Sequence, residues 1–166
     1  YEIIFVDDGS GDNPLKILEE IASNDSHVKL ISFSRNFGHQ CAVTAGIRYV
    51  TGDAVVIMDA DLQDPPELIP EMLKLWEDGN EVIYGKRKTR YGESAFKLLT
   101  AKMFYKTLNS LSDVEIPKDT GDFRLVDRKV IEVINSLPEH NKFLRGLFSW
   151  VGFKQCAYEY ERKARF

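Results

Sequence analysis

Short apolar runs alternate with amphipathic stretches along the first half of the chain, and this alternation sets the expected elements. Residues 1–7 (YEIIFVD) form an apolar, β-branched run ending in DDGSGDNP, the signature of a buried parallel strand followed by a turn. Pro14 opens a helical stretch with Leu15, Ile17, Leu18 and Ile21 on one side, and Ser10 or Asp12 is its expected cap. Residues 28–34 (VKLISFS) read as a second strand, leading through Arg35, Asn36, Phe37 and Gly38 into a helix over about 39–50. A third strand, 54–58 (AVVIM), runs into DADLQDPPE, where Pro65 and Pro66 end the strand and start a helix reaching Glu77, with Gly79 placed to stop it. The fourth strand, 81–85 (EVIYG), finishes at Lys86, Arg87, Lys88 and Arg90. Strand alternating with helix at this spacing predicts an α/β fold with a mainly parallel sheet covered on both faces.

Beyond Thr89 the alternation breaks down. Helices are expected over 94–111, over 127–136 with Asp127 as N-cap, and over 139–150, followed by a strand over 153–160. No repeat, low-complexity tract or linker divides the sequence, so residues 1–166 read as one domain. Because the chain opens at Tyr1 directly in a strand, it reads as a fragment that has lost an N-terminal piece.

Composition narrows the class. With 43% hydrophobic and 29% charged residues the chain is globular rather than disordered, collagen-like or disulfide-stapled. Cys41 and Cys156 match no metal or redox spacing and read as small core residues in a reducing compartment. No apolar run approaches the roughly 18 residues needed to span a bilayer and the start resembles no signal peptide, so the chain as given reads as soluble and cytoplasmic. The net charge of −4 hides an asymmetry: residues 1–139 hold 16 Lys/Arg against 24 Asp/Glu, and residues 140–166 hold 6 against 2. An acidic body argues against nucleic acid as a partner, whereas a basic tail suits phosphate groups or an anionic membrane surface, or is a solvated face.

Ligands of open parallel sheets sit at the carboxyl ends of the strands. Asp7 and Asp8 follow the first strand here, Asp59 and Asp61 the third, and Lys86 and Arg87 the fourth. Alternation along a strand puts Asp59 and Asp61 on one side, roughly 6 to 7 Å apart. Two carboxylates that close repel by roughly 2 to 3 kcal/mol at an effective dielectric of about 20, a cost that a cation offsets. Oxygen ligands without neighbouring His or Cys favour Mg²⁺ or Mn²⁺. The competing reading is turn and cap chemistry, in which Asp is common, for the Asp-x-Asp and for Asp7, Asp8 and Ser10 alike. Residues 86–106 carry seven Lys/Arg and one acid, Glu93, interleaved with apolar residues; such a helix either lies in a membrane interface or packs on the core with a solvated basic face. Phe143, Phe148, Trp150 and Phe153 read as core, and His27, His39 and His140 as ordinary polar positions.

The segments YEIIFVDDGSGD, FSRNFGHQCAVTAGI, DADLQDPPE and TGDFRLVDR, in this order, resemble the family 2 glycosyltransferases with the GT-A fold. The nearest branch is the dolichol-phosphate mannosyltransferase and bactoprenol glucosyltransferase group, which transfers a sugar from a nucleotide to a polyprenyl phosphate. The likeness covers nearly the whole chain, but the family's first strand and its P-x-Y-N-E turn are absent ahead of Tyr1. It implies a nucleotide-sugar-binding half over 1–90, an acceptor half over 91–166, and metal-dependent, inverting transfer of a hexose from a UDP- or GDP-linked donor. By the same resemblance Asp8, with Asp7 beside it, contacts the nucleoside and Arg35 lies near the base. Asp59 bonds the ribose or helps hold the metal, Asp61 ligates the metal bridging the diphosphate, and Gln63 and Asp64 shape the sugar end. Asp122 corresponds to the catalytic carboxylate, with Asp119 as second choice, and Arg145 and Trp150 fall where related enzymes place acceptor-site residues. Arg162 and Arg165 are candidates for extra positive charge at the diphosphate. A polyprenyl-phosphate acceptor implies that the full-length protein works at the cytoplasmic face of the membrane. Such an acceptor is already an anion, so Asp122 would orient it, whereas an alcohol acceptor would need a true base. Two alternatives stand beside this. Asp7, Asp8, Asp59 and Lys86 imitate a receiver-type phosphoacceptor module, although that has no use for Asp61 and would end well before residue 166. A nucleotide-binding fragment without activity is the other.

Overall fold

The computed structural model describes residues 1–87 and 120–161. Strand β1 (Ile3–Asp7) pairs in parallel with β2 (Val28–Ser32), Ile3 opposite Val28 and Asp7 opposite Ser32. Helix α1 (Pro14–Asn24) connects them, and α2 (His39–Tyr49) follows β2. A second sheet is built from β3 (Ala54–Ile57), β4 (Val82–Arg87), β5 (Thr120–Asp127) and β6 (Gln155–Tyr160), in the order β3-β5-β4-β6. Between β3 and β4 lie a 3₁₀ turn (Pro66–Leu68) and α3 (Ile69–Glu77); between β5 and β6 lie α4 (Arg128–Ser136) and α5 (Leu144–Trp150). Among these four strands β3, β4 and β6 run in one direction, and β5, inserted between β3 and β4, runs against them.

The side-chain alternation of the strands builds two cores, one on each face of the second sheet. Val55, Ile57, Val82 and Val126 face α2, α4 and α5, meeting Ile47, Val130, Ile131, Ile134, Leu144 and Phe148. The intervening residues Ile83, Phe123 and Leu125, with Tyr160, face α3, where Met72 is fully buried. Helices therefore cover both faces, as the alternation of the sequence predicts. Asp127 ties the two sides together: Oδ1 caps α4 by accepting from the Lys129 N–H (2.9 Å), and Oδ2 accepts from Trp76 Nε1 of α3 (2.7 Å).

Several expectations need correction. Strand β5 falls where the sequence reads only as a motif, because Arg124 interrupts its apolar run; the guanidinium is 4% exposed, held by the carbonyls of Gly121 (3.1 Å) and Asp122 (3.3 Å) and stacked 4.5 Å from the Phe148 ring. Helix α5 starts at Leu144 rather than at 139, because residues 137–143 turn so that Lys142 Nζ donates to the Ile134 carbonyl and closes the end of α4. The N-cap of α1 is Asn13, with no side-chain cap bond, while Ser10 donates to Asp7 instead. Cys41 is exposed, since on α2 it points away from Val43 and Ile47, and Phe143 and Trp150 are exposed where core was expected. The helix expected over 94–111 lies outside the described residues. Among the described residues no helix is long and apolar enough to cross a membrane.

Candidate functional site

Two loops and the start of β5, at one edge of the sheets, supply the chemistry. After β1, Asp7 is 7% exposed and its Oδ1 accepts from the Ser10 N–H and hydroxyl. Asp8 accepts from Phe37 N–H (2.7 Å) and Gly38 N–H (2.9 Å), pinning the β2–α2 loop. Between them Gly9 sits at φ +70°, and a Cβ there would lie 2.4 Å from the Arg35 carbonyl carbon, so only glycine allows the two loops to touch. Arg35 folds onto its own loop, 4.1 Å over the Phe37 ring and bonded to the Asn36 carbonyl (3.1 Å). The turn-chemistry reading of Asp7, Asp8 and Ser10 thus describes their contacts in this structure. Its consequence is positional: the pinned loop delivers His39 as the first residue of α2.

The second loop follows β3. The strand ends at Ile57, so strand alternation does not orient Asp59 and Asp61, and just beyond them Leu62 takes a left-handed conformation at φ +58°. This conformation is costly for a branched side chain and turns the chain so that Gln63 N–H donates to Asp61 Oδ1 (3.1 Å). Asp64 is buried, accepting from the Tyr160 hydroxyl of β6. That bond and burial push the Tyr160 phenol well above its usual range, with burial the larger cause. Burial also raises the Asp59 carboxyl; His39 opposes this, and the charges of Asp122, Asp61 and Asp64 reinforce it. Asp59 therefore stands in the field of three other carboxylates.

The third contribution is the start of β5 itself, and the reversed direction of this strand is what brings Asp122 to this edge. Arg124 pairs with Ile57 at the end of β3, and two residues earlier in β5 the charge of Asp122 reaches Asp59. Asp122 is gripped by a fork from α5, Arg145 Nε to Oδ1 (2.8 Å) and Nη2 to Oδ2 (2.7 Å). Arg124 Nη2 stands 3.8 Å from Oδ1, and His39 Nε2 lies 3.0 Å from Oδ2. Burial alone would raise this carboxyl, but Arg145, Arg124 and His39 together hold it below the usual carboxylate range. Burial brings the Arg124 guanidinium down to about 10, against the pull of Asp122. At the end of β4, Lys86 pairs with Glu159 (2.9 Å), and Arg87 has a buried Nε with no hydrogen-bond partner.

Of the residues singled out from sequence, Asp59, Asp61, Asp64 and Asp122 converge; Asp7, Asp8 and Arg35 support the adjoining loops; Asp119, Arg162, Arg165 and the basic stretch beyond Arg87 lie outside the described residues. His39 was read as an ordinary polar position, yet it stands between Asp59 (Nδ1, 3.8 Å) and Asp122. Its signal was available, for it directly follows the loop at the carboxyl end of a parallel strand. Among the described residues no group of three or more His, Cys, Asp or Glu is arranged to hold a metal by itself. Asp59 and Asp61, two hard-oxygen donors at a partly open rim, fit an ion that draws its remaining ligands from substrate phosphates and water.

The architecture is that of the GT-A glycosyltransferases. Solved structures of this fold superpose on the chain: Staphylococcus aureus TarS 1–349 at TM-score 0.60 and 14% identity, covering 97% of this chain and 50% of that one. Glucosyl-3-phosphoglycerate synthase of Mycobacterium tuberculosis, in complex with Mn²⁺, UDP-glucose and glycerol 3-phosphate, superposes at TM-score 0.59 and 18% identity, covering 98% and 60%. Sequence fixes the family. The model described as Glycosyl transferase family 2 matches residues 1–134, and the chain belongs to that family. Relatives include the uncharacterized glycosyltransferase YkcC of Bacillus subtilis, 57% identical over 99% of this chain and 51% of its own length. The bactoprenol glucosyl transferase of Shigella phage SfX is 43% identical over 99% of this chain and 54% of its own length. The chain thus spans about half the length of the curated relatives it matches. Family membership removes the receiver alternative.

Proposed function

We propose that this chain is the catalytic domain of an inverting, divalent-ion-dependent glycosyltransferase that moves a hexose from a nucleoside diphosphate to a polyprenyl phosphate at the membrane surface. The observation that carries the reading is the meeting of Asp59, Asp61 and Asp122 at one sheet edge, with Asp122 locked by Arg145. Asp61, with Asp59, would hold Mg²⁺ or Mn²⁺. When bound, the ion neutralises charge developing on the departing diphosphate. The protein's own share is electrostatic and positional. Asp8 and Gly9 fix the β2–α2 loop beside the nucleotide end, and Gln63 and Asp64 set the turn at the sugar end. Asp122 is a fixed negative charge rather than a strong base, because its carboxyl is held low. Such a group suits a phosphate acceptor, which arrives already ionised and needs orientation on the face opposite the leaving group. Arg162 and Arg165 are further candidates for the diphosphate. The kinship with bactoprenol glucosyl transferases supports the lipid acceptor.

Calorimetric titration of UDP-glucose and GDP-mannose, each with Mn²⁺, tests the donor side. The wild type is expected to bind one of them in a metal-dependent manner and Asp61→Ala to lose the metal-dependent part. Equal affinity in the variant would remove Asp61 from the metal site, and absence of any binding to the wild type would favour an inactive fragment.

A further inference from the structure

His39 is the group of this edge with no role in the reading above, and its position is specific. It is the first residue of α2, behind a loop whose Phe37 and Gly38 N–H groups are both held by Asp8. Its ring therefore enters the acid cluster from a restrained backbone. Nε2 lies 3.0 Å from Asp122 Oδ2, and Nδ1 lies 3.8 Å from Asp59 Oδ1. Since a carboxylate only accepts, the 3.0 Å contact assigns the proton on that side to Nε2. Arg145 takes the Asp122 carboxylate from α5, while the imidazole takes the same oxygen, Oδ2, from α2. Helices on two sides of the acid thus fix it jointly, and the ring on the α2 side also lies 3.8 Å from Asp59.

We propose that His39 is a positioning residue that joins the donor-side acid Asp59 to the acceptor-side acid Asp122 and sets their separation during transfer. The inference rests on the transferase reading. It assigns to the imidazole a task beside that of Arg145: the guanidinium fork fixes Asp122 from α5, and the ring stands between Asp122 and Asp59. With the ring gone, Asp122 would keep its fork but lose the Nε2 donor, and nothing of α2 would stand between the two carboxylates. The effect should fall mainly on turnover, since Asp61 keeps its place at the ion while the ring sets the spacing of Asp59 from Asp122.

The test is steady-state kinetics of the full-length protein with a nucleotide sugar, Mn²⁺ and polyprenyl phosphate, on His39→Ala, His39→Gln and His39→Asn. A glutamine amide nitrogen reaches the place of ring Nε2, whereas an asparagine amide stops near that of Nδ1. His39→Ala is expected to lower kcat about tenfold, the effect of one hydrogen bond to a charged group, with donor KM within about twofold. His39→Gln should recover most of the loss and His39→Asn should not. An alanine variant with wild-type kcat, a loss confined to donor KM, or glutamine and asparagine behaving alike would each overturn the proposal. Thermal melts of the three variants identify any loss caused by unfolding, in which case the Gln-to-Asn comparison decides. A wild type that turns over no UDP- or GDP-sugar would sink the transferase reading and this inference with it; an active wild type with an unaffected His39→Ala would sink this inference alone.

Discussion

A carboxylate clamped by a guanidinium fork is a poor proton acceptor and a well-placed charge, and Asp122 is such a group. Asp122→Asn keeps the size and removes the charge, so kcat is expected to fall by about 10²–10³, the range for losing a preorganised electrostatic partner, with donor affinity nearly unchanged. Single-turnover kinetics alongside donor titration check this. At the far end of β1 another acid has a purely structural task. Glu2 accepts from Lys29 Nζ (2.6 Å) and from the Thr51 N–H and hydroxyl, and these bonds, Lys29 foremost, lower its carboxyl from 4.5 to about 2. A carboxyl depressed on folding adds stability that is full above about pH 4.5 and disappears as pH falls through about 2. Melting temperatures of wild type and Glu2→Gln should therefore differ at pH 6 and converge towards pH 2. At this scale the sequence made acids legible through their runs, DD and DAD. His39 had only its place behind the β2–α2 loop as a signal and Arg145 only its resemblance to an acceptor-site position; that both meet on Asp122 depends on which helix end meets which strand end.

Elements show a different balance of what could be read. The βα alternation to Gly85 was legible because strands buried on both faces are apolar runs and helices show a 3.6 period. Strand β5 was not, although it lies at the centre of the sheet, because a buried arginine broke the run and because its antiparallel direction depends on partners far away in sequence. The same strand supplies two stability tests. Asp127 ends β5, caps α4 and accepts from Trp76, so Asp127→Ala is expected to cost about 2 to 3 kcal/mol in urea unfolding. Asp127→Asn, which keeps one acceptor oxygen, should cost roughly half. On the neighbouring strand, a Cβ at Gly85 would stand 2.8 Å from the Tyr160 ring and 3.0 Å from the Phe123 ring. Gly85→Ala must push one of them aside, and overpacking of that kind costs about 1 to 3 kcal/mol. Because Tyr160 also holds Asp64, the variant should lose nucleotide affinity as well as stability, and a titration paired with the unfolding curve checks both.

At the scale of the whole molecule, the site belongs to no single element; the loops after β1 and β3, the start of β5 and the first turns of α2 and α5 meet there. Asp59 carries the charges of Asp61, Asp64 and Asp122 around it, and a cation bound there offsets them, so ligand binding should be read directly in global stability. A ligand that binds only the folded state at about 100 times its Kd adds about 2.7 kcal/mol, and about 1 kcal/mol moves the midpoint of a domain this size by roughly 2 to 4 °C. Mn²⁺ with a nucleoside diphosphate at that saturation should raise Tm by about 5 to 11 °C, and a chelator should return it to the free value. The combination discriminates between roles. Asp61→Ala should melt near the wild-type free value and lose the metal-dependent rise. Asp122→Asn should keep the rise while losing turnover, since its carboxylate is committed to Arg145 and His39 rather than to the diphosphate. If Asp122→Asn abolished the rise and Asp61→Ala retained it, the donor-side and acceptor-side assignments of the two acids would have to be exchanged.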